Sequence, residues 1–259
     1  MQTSRSHKIY GLIGYPLVHS FSKAYFNQKF ESENIDAEYI NFEIPDINML
    51  MEVISEYDNI SGLNVTIPYK EKVIPFLDSL DSDAEKIGAV NVIKIIRTKN
   101  KLELKGYNSD VIGFGQSIKE FITPSRKKAL VLGTGGAAKA ICHGLKKLGV
   151  EPQLVSRHKS AKTLTYEELT KADIANHKII VNTTPLGMYP HTDECPNIPY
   201  RFLTPDHVCY DLLYNPDETL FMKKSKEYGA ITKNGLEMLL LQAFVAYEIW
   251  TSDSWSGTL

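Results

Sequence analysis

Ala129-Leu-Val-Leu-Gly133-Thr-Gly135-Gly136-Ala-Ala-Lys-Ala-Ile141 is a short apolar run that breaks on glycines and resumes in small residues. Lys128–Leu132 reads as a buried strand, the glycines as a tight turn, and Ala137–Lys147 as a helix. That order is the layout of a dinucleotide fingerprint. Gly133 would permit the turn and Gly135 would let a pyrophosphate approach the backbone. The helix N-terminus would offer unpaired N–H groups and the positive end of its dipole. An ordinary strand–turn–helix connection would use glycine for geometry alone; the strand before and the helix after favour the fingerprint.

Beyond this unit, strands are expected at Gln153–Ser156, Lys178–Asn182 and His207–Asp211, with helical spacing between them. Such alternation argues for a parallel sheet covered on both faces. The tip of the second strand reads Val155-Ser156-Arg157-His158-Lys159-Ser160-Ala161-Lys162. An acid there would accept from a ribose 2′-hydroxyl. None is present, and Arg157 with Lys159 or Lys162 suits a 2′-phosphate, because a guanidinium pairs bidentately with phosphate oxygens. A solvated basic turn is the plain alternative. The coincidence of place and charge favours NADP.

Upstream, the polar break Thr123-Pro-Ser-Arg-Lys-Lys separates this region from a different pattern. Strands are expected at Ile9–Gly14, Tyr39–Ile44, Gly62–Ile67, Ala89–Arg97 and Leu102–Gly106, with a turn at Asn100-Lys101. Helices are expected at Ser22–Phe30, Ile47–Ser55, Val73–Leu80, Asp83–Ile87 and Val111–Phe121. The last segment, Leu236–Trp250, is apolar on nearly every side and predicts a buried helix. With Glu237, Gln242 and Glu248 inside it, that segment is too short to span a bilayer.

A net charge of −2 supplies no field for nucleic acid or an anionic membrane. Three widely spaced cysteines, Cys142, Cys195 and Cys209, fit neither a disulfide framework nor a zinc site. The expectation is a cytoplasmic enzyme with a small-molecule substrate, no nucleic-acid or membrane partner and no metal, acting as a monomer or homodimer.

The first half also carries small hydroxyl and amide groups and single charges at strand ends: Ser20 and Ser22 after the first strand, Asn64, Thr66 and Lys70 in Asn64-Val-Thr-Ile-Pro-Tyr-Lys70, Asn91 in Gly88-Ala-Val-Asn91, and Asp110 in Gly106-Tyr-Asn-Ser-Asp110. Asn64 and Thr66, two apart on a strand, would share a face. The mixture suits a polyhydroxylated ring bearing one carboxylate, although each residue taken singly has a plain structural explanation as a cap, a turn residue or a surface amine.

In order and spacing these motifs resemble the shikimate dehydrogenase family: Gly14–Ser22, Asn64–Lys70, Gly88–Asn91, Asn108–Asp110 and the Gly133 turn. They continue through Asn182-Thr-Thr-Pro-Leu-Gly-Met, Tyr214-Asn-Pro-Asp-Glu-Thr and Gly235-Leu-Glu-Met-Leu-Leu-Leu-Gln242-Ala. The resemblance implies reversible NADPH-dependent reduction of 3-dehydroshikimate to shikimate, a step of aromatic amino-acid biosynthesis. It implies that Ser20, Ser22 and Tyr214 hold the substrate carboxylate. Asn64, Thr66, Asn91 and Gln242 would contact the substrate mainly through ring hydroxyls, with Lys70 and Asp110 at the reacting carbon. Gly133, Gly135, Gly136, Ala137, Ser156, Arg157, Thr183 and Gly235 would line the cofactor. Lys70 would supply positive charge to the ketone oxygen, donating the proton itself or polarising the carbonyl while water donates it. A lysine–carboxylate pair titrates as a unit, which leaves open which member carries the mobile proton.

The chain departs from the family pattern at four places. Lys23 follows the second serine where proline is usual, and Asn108-Ser109-Asp110-Val111 stands for the usual Asn-Thr-Asp-Gly. Ser156-Arg157-His158 stands for Asn-Arg-Thr, and Ala161-Lys162 for a further arginine. The implied fold is α/β with two domains. An N-terminal α/β substrate domain, residues 1–107, is completed by the C-terminal helix, 236–259; a Rossmann-type NADP-binding domain with a parallel sheet spans 108–235. A quinate/shikimate dehydrogenase using NAD and a non-catalytic metabolite sensor are the competing readings.

Overall fold

The computed structural model describes residues 7–17, 21–99 and 101–257. The chain divides into two compact units. The described residues of the first run to Ser109 and resume at Ala243–Gly257; those of the second are Asp110–Gln242.

The first unit contains β1 (Lys8–Gly14), α1 (Phe21–Ser32), β2 (Ala37–Glu43), α2 (Leu50–Glu56), β3 (Ile60–Val65), β4 (Ser79–Leu80), α3 (Ser82–Ile87), β5 (Val92–Thr98) and β6 (Lys101–Tyr107). Among the described residues they build one mixed sheet in the order β2-β1-β3-β5-β6-β4. β1 pairs parallel with β2 and β3, whereas β5 pairs antiparallel with β3 and β6. The β5–β6 ladder reaches Thr98↔Lys101, the hairpin expected there, although Asn100 lies outside the described residues. One apolar layer of the unit includes Ile13, Leu50, Ile54, Leu63, Val73 and Ile93. An aromatic group fills another part of it. Phe26 of α1 stacks on Tyr39 of β2 at 4.8 Å, and Tyr10 stacks on Trp250 at 4.8 Å. The Trp250 indole Nε1 donates to the Ile93 carbonyl at 3.1 Å, which a buried indole requires.

The second unit begins with α4 (Asp110–Ile118), β7 (Lys128–Leu132), α5 (Gly136–Lys147), β8 (Glu151–Ser156) and β9 (Thr163–Thr165). It continues through α6 (Lys171–Asn176), β10 (Ile179–Asn182), β11 (Val208–Asp211), α7 (Leu220–Glu227), β12 (Ile231–Lys233) and the start of α8 (Leu236–Thr251), which crosses the unit boundary. The expected parallel sheet is present, in the order β12-β11-β10-β7-β8-β9 with every pairing parallel. Alternate residues of β7 feed opposite layers. Ala129 and Val131 pack with Phe114, Ile141 and Leu145, while Leu130 and Leu132 pack with Ile174, Ile180 and Phe221. Burial on both faces explains the unbroken apolar runs of these strands.

Two expectations fail. Val73–Leu80 is not a helix: only Ile74–Phe76 forms a short 3-10 turn, and Ser79–Leu80 pairs with β6. The reason is non-local, since the Asp78 backbone N–H donates to the Leu104 carbonyl and its carboxylate accepts from Leu104 N–H at 2.7 Å. Nor is α8 buried on every side. Leu236, Leu240 and Phe244 recur every fourth residue and are 39%, 38% and 50% exposed, so one stripe of the helix faces outward.

Candidate active site

In the first unit, the candidate substrate residues gather at the C-terminal ends of β1 and β3. Thr66 leaves β3 with its N–H donated to the Ile13 carbonyl, and Tyr69 N–H closes the turn onto the Thr66 carbonyl at 2.9 Å. The Tyr69 hydroxyl donates to the Ile44 carbonyl at 2.6 Å. Lys70 follows directly, and its own carbonyl accepts from Val90 N–H at 2.7 Å. Backbone bonds to Ile13 and Val90, with the Tyr69 hydroxyl on Ile44, thus fix the peptide that presents the half-buried Lys70.

Asn64 and Asn91 are both buried and both hydrogen-bonded. The Asn64 Nδ2 donates to the Asn91 carbonyl at 3.3 Å, and its Oδ1 accepts from the Tyr39 hydroxyl at 2.8 Å. Asn91 reaches forward instead. Its Oδ1 accepts from Ser109 N–H at 2.7 Å and its Nδ2 donates to Ser109 Oγ at 3.0 Å. Asn108 Nδ2 donates to the Ala89 carbonyl at 2.9 Å. Half-buried Ser22, in the first turn of α1, hydrogen-bonds Tyr39. Ser20 lies outside the described residues. The structure therefore brings Ser22, Asn64 and Asn91 into one connected set and adds two members that sequence reasoning missed, Tyr39 and Ser109. The available signal for Tyr39 was a tyrosine in an alternating strand, whose hydroxyl must find a partner once buried. That hydroxyl is fully buried, which pushes its pKa far above the ordinary phenol range and keeps it protonated.

In the second unit, β7 is the strand where the order of the sheet reverses. The chain goes from β7 to β8 and β9 on one side, and reaches β10, β11 and β12 on the other. Ligands of open α/β sheets bind at such switch points, beyond the carboxyl ends of the strands. Gly133 sits there with φ +117°, a conformation that side-chain-bearing residues rarely adopt, and a Cβ on it would stand 2.6 Å from Thr183 Oγ1. Thr183, at the exit of β10, gives both its N–H and its hydroxyl to the Leu132 carbonyl, at 3.0 and 2.6 Å. Gly135 is the N-cap of α5 with no side-chain cap bond, and nothing stands within 4 Å of where its Cβ would be. Gly136 and Ala137 form the first turn of that helix. A turn without bulk ahead of an uncapped twelve-residue helix fits a dinucleotide pyrophosphate.

At the tip of β8, Ser156 Oγ accepts from His158 N–H at 3.3 Å, and Arg157 is exposed with no ion pair among the described residues. Lys159 is engaged elsewhere: it pairs with Glu168, whose carboxylate also accepts from Thr165 N–H. Of the basic residues offered for a 2′-phosphate, Arg157 and the exposed Lys162 remain.

Gly235 owes its identity to packing, because a Cβ there would meet the Leu212 carbonyl oxygen at 2.0 Å. Tyr214, in the loop after β11, is half-buried, and burial raises its phenol pKa. Asp110 opens α4 and is buried. Gln242 lies on α8, its Nε2 donating to the Leu239 carbonyl at 3.0 Å.

Sequence reasoning also missed a buried group at the ends of β10 and β11. Asp211 Oδ1 accepts from Asn182 Nδ2 and from Leu213 N–H, both at 3.0 Å, and its Oδ2 accepts from Thr219 Oγ1 at 2.6 Å. Asn182 Oδ1 in turn accepts from the N–H and hydroxyl of Thr184. This carboxylate ties the loop after β10 to the one after β11. Burial raises its pKa to about 6 against the pull of those hydrogen bonds.

Residues 12–93 match the family described as Shikimate dehydrogenase substrate binding domain. The Shikimate dehydrogenase (NADP(+)) of Carboxydothermus hydrogenoformans is 40% identical, over 98% of this chain and 95% of its own length. The crystal structure of shikimate dehydrogenase from Aquifex aeolicus is 34% identical, with a TM-score of 0.82 over 95% of this chain and 93% of that one. A Thermus thermophilus shikimate 5-dehydrogenase, crystallised with NADP(H) and shikimate, is 26% identical, with a TM-score of 0.81 over 94% of this chain and 93% of that one. Likeness that runs through both units at these identities settles the lineage: the chain belongs to the shikimate dehydrogenase family.

Proposed function

We propose that the chain catalyses the reversible NADPH-dependent reduction of 3-dehydroshikimate to shikimate, with the first unit holding the substrate and the second the cofactor. Supporting this above all is family membership over nearly the whole length with Lys70 and Asp110 both retained. The partner is a small molecule, and among the described residues no helix is long and apolar enough to cross a membrane. We place the enzyme in the cytoplasm, in keeping with three unpaired cysteines.

Gly133, Gly135, Gly136 and Ala137 would receive the pyrophosphate, with Thr183 and Gly235 shaping the surrounding turns, and Ser156 and Arg157 would hold the 2′-phosphate. When bound there, NADPH supplies the hydride. Hydride arrival places negative charge on the ketone oxygen, and a cation held there stabilises the transition state more than the ground state. Lys70 is that cation, and its Nζ delivers the proton to the oxygen. Asp110 accepts a hydrogen bond from a neighbouring ring hydroxyl. Ser20, Ser22 and Tyr214 hold the carboxylate, and Asn64, Thr66, Asn91 and Gln242 read the ring.

The deciding experiment follows NADPH absorbance with shikimate or quinate as substrate and NADP or NAD as oxidant. Rapid reduction of NADP by shikimate, with quinate and NAD poor, is expected. Comparable rates with quinate and NAD would replace this reading with a broader-specificity enzyme. No reduction with either cofactor would leave a binding protein.

A further inference from the structure

Tyr39 was not among the residues that the motifs point to, yet it occupies the centre of the substrate-side hydrogen bonds. Its ring is fixed by stacking on Phe26 at 4.8 Å, and the side chain has no exposure. Proton directions around it follow by elimination. The Asn91 carbonyl, already accepting from Val65 N–H at 2.9 Å, can only accept, so the Asn64 atom 3.3 Å from it is the amide nitrogen. Asn64 Oδ1 therefore faces Tyr39, and the single phenolic proton of Tyr39 goes to it at 2.8 Å.

We propose that Tyr39 is a positioning residue for substrate recognition: by donating to Asn64 Oδ1 its hydroxyl secures the orientation that the Asn91 carbonyl selects, and so fixes where the remaining amide N–H and the amide oxygen face the substrate. This rests on the reading above, in which Asn64 contacts a ring hydroxyl. An asparagine amide is nearly symmetric in shape but opposite in polarity at its two ends. The Asn91 carbonyl breaks that symmetry, but through a long bond alone, and only one orientation matches a given pattern of ring hydroxyls. The weak 3.3 Å bond to the Asn91 carbonyl is supported by the shorter one from Tyr39.

The test is a double-mutant cycle on Tyr39→Phe and Asn64→Ala, reading kcat and the KM of shikimate and of NADP separately. Tyr39→Phe removes one hydroxyl and keeps the ring that stacks on Phe26. We expect shikimate KM to rise by roughly threefold to tenfold, the range for one misplaced hydrogen bond, with NADP KM unchanged. In the Asn64→Ala background the same substitution should change shikimate KM no further, because Tyr39 acts only through the amide. Full additivity of the two, or an equal rise in NADP KM, would make Tyr39 a merely structural residue and overturn the proposal. Should Asn64→Ala itself leave shikimate KM untouched, the site reading fails first and takes the proposal with it.

Discussion

The two sheets offer their ligands different things. In the mixed sheet of the first unit, the candidate groups are side chains, and buried hydrogen bonds among Tyr39, Asn64, Asn91 and Ser109 set their orientation. In the all-parallel sheet of the second unit, the candidate groups at the switch point are mostly backbone: Gly133 at φ +117°, the uncapped end of α5, and the doubly satisfied Leu132 carbonyl. A side-chain site reads a compact ring with several hydroxyls, because each hydroxyl needs its own donor or acceptor at its own place. A backbone site suits a pyrophosphate, which asks for close approach and positive potential and needs no individual side chain. It follows that removing atoms should damage the first unit's chemistry and adding atoms the second's.

Lys70 gives the largest expected effect. Lys70→Ala should lower kcat by roughly 10²–10⁴, the range for a lost acid–base group, with a smaller change in shikimate KM. Steady-state rates at saturating NADP decide it, and a kcat near that of the parent enzyme would end the assignment. The converse experiment adds atoms. Gly133→Val puts a branched side chain where φ is +117° and Thr183 Oγ1 stands 2.6 Å from the Cβ position. NADP KM should rise by roughly 100-fold, given about 1–3 kcal/mol of backbone strain plus the clash. Shikimate binding, followed by calorimetry, should persist; loss of both would mean that the two sites fail together and the contrast between the units is wrong.

Arg157→Ala sharpens the same contrast on the one side-chain group that the second unit is asked to contribute. A charged hydrogen-bonding partner of the 2′-phosphate accounts for roughly a 10- to 100-fold rise in NADP KM when it is removed. NAD carries no such phosphate, so its KM should hardly move. Equal losses for both cofactors would place Arg157 outside phosphate recognition. Lys159→Ala is the internal control: that lysine is held by Glu168, so its removal should leave the NADP-to-NAD ratio nearly as it was.

How much of this was legible beforehand follows the range of the interactions. The Gly133 turn and the acid-free tip of β8 are local patterns, each readable from a dozen residues, and the parallel sheet followed from the alternation of such local patterns between Lys128 and Asp211. The misread segment at Val73–Leu80 has helical spacing, but Asp78 is captured by Leu104, twenty-six positions away. Similarly, no local pattern reveals that Tyr39 meets Asn64 across twenty-five positions or that Asn182 meets Asp211 across twenty-nine. The exposed stripe of α8 escaped for a related reason, since Leu236, Leu240 and Phe244 are as apolar as the residues that are buried. Composition gives no sign of which face has a partner.

The last expected effect falls on stability rather than turnover and concerns what each unit keeps inside. The buried network of the first unit is built of neutral groups, whereas that of the second contains Asp211. Its pKa is raised in the folded chain to about 6, above the ordinary 3.8. A raised pKa means that the folded state binds the proton more tightly than the unfolded chain does. The resulting stabilisation is complete below about pH 4 and is lost as pH rises through about 6. Over that window the full shift corresponds to at most roughly 3 kcal/mol, and to several degrees in Tm. His207 acts with the opposite sign. Its Nδ1 accepts from Thr204 N–H at 3.0 Å, leaving Nε2 as the donor to the Ile174 carbonyl at 2.9 Å. Burial holds the ring neutral with a lowered pKa, against the upward pull of those backbone bonds, and its contribution is lost on acidification. Asp211→Asn separates the two. The amide oxygen keeps the Asn182 and Leu213 donors, while the amide nitrogen can donate to the Thr219 oxygen, so packing and bonding survive. Thermal unfolding from pH 4 to 8 should then show the variant gaining on the parent as pH rises, with the downward slope of the His207 region left intact at the acid end. A constant offset between the two curves would mean that Asp211 is ionised throughout, and that the second unit holds its loops with a charge it never gives up.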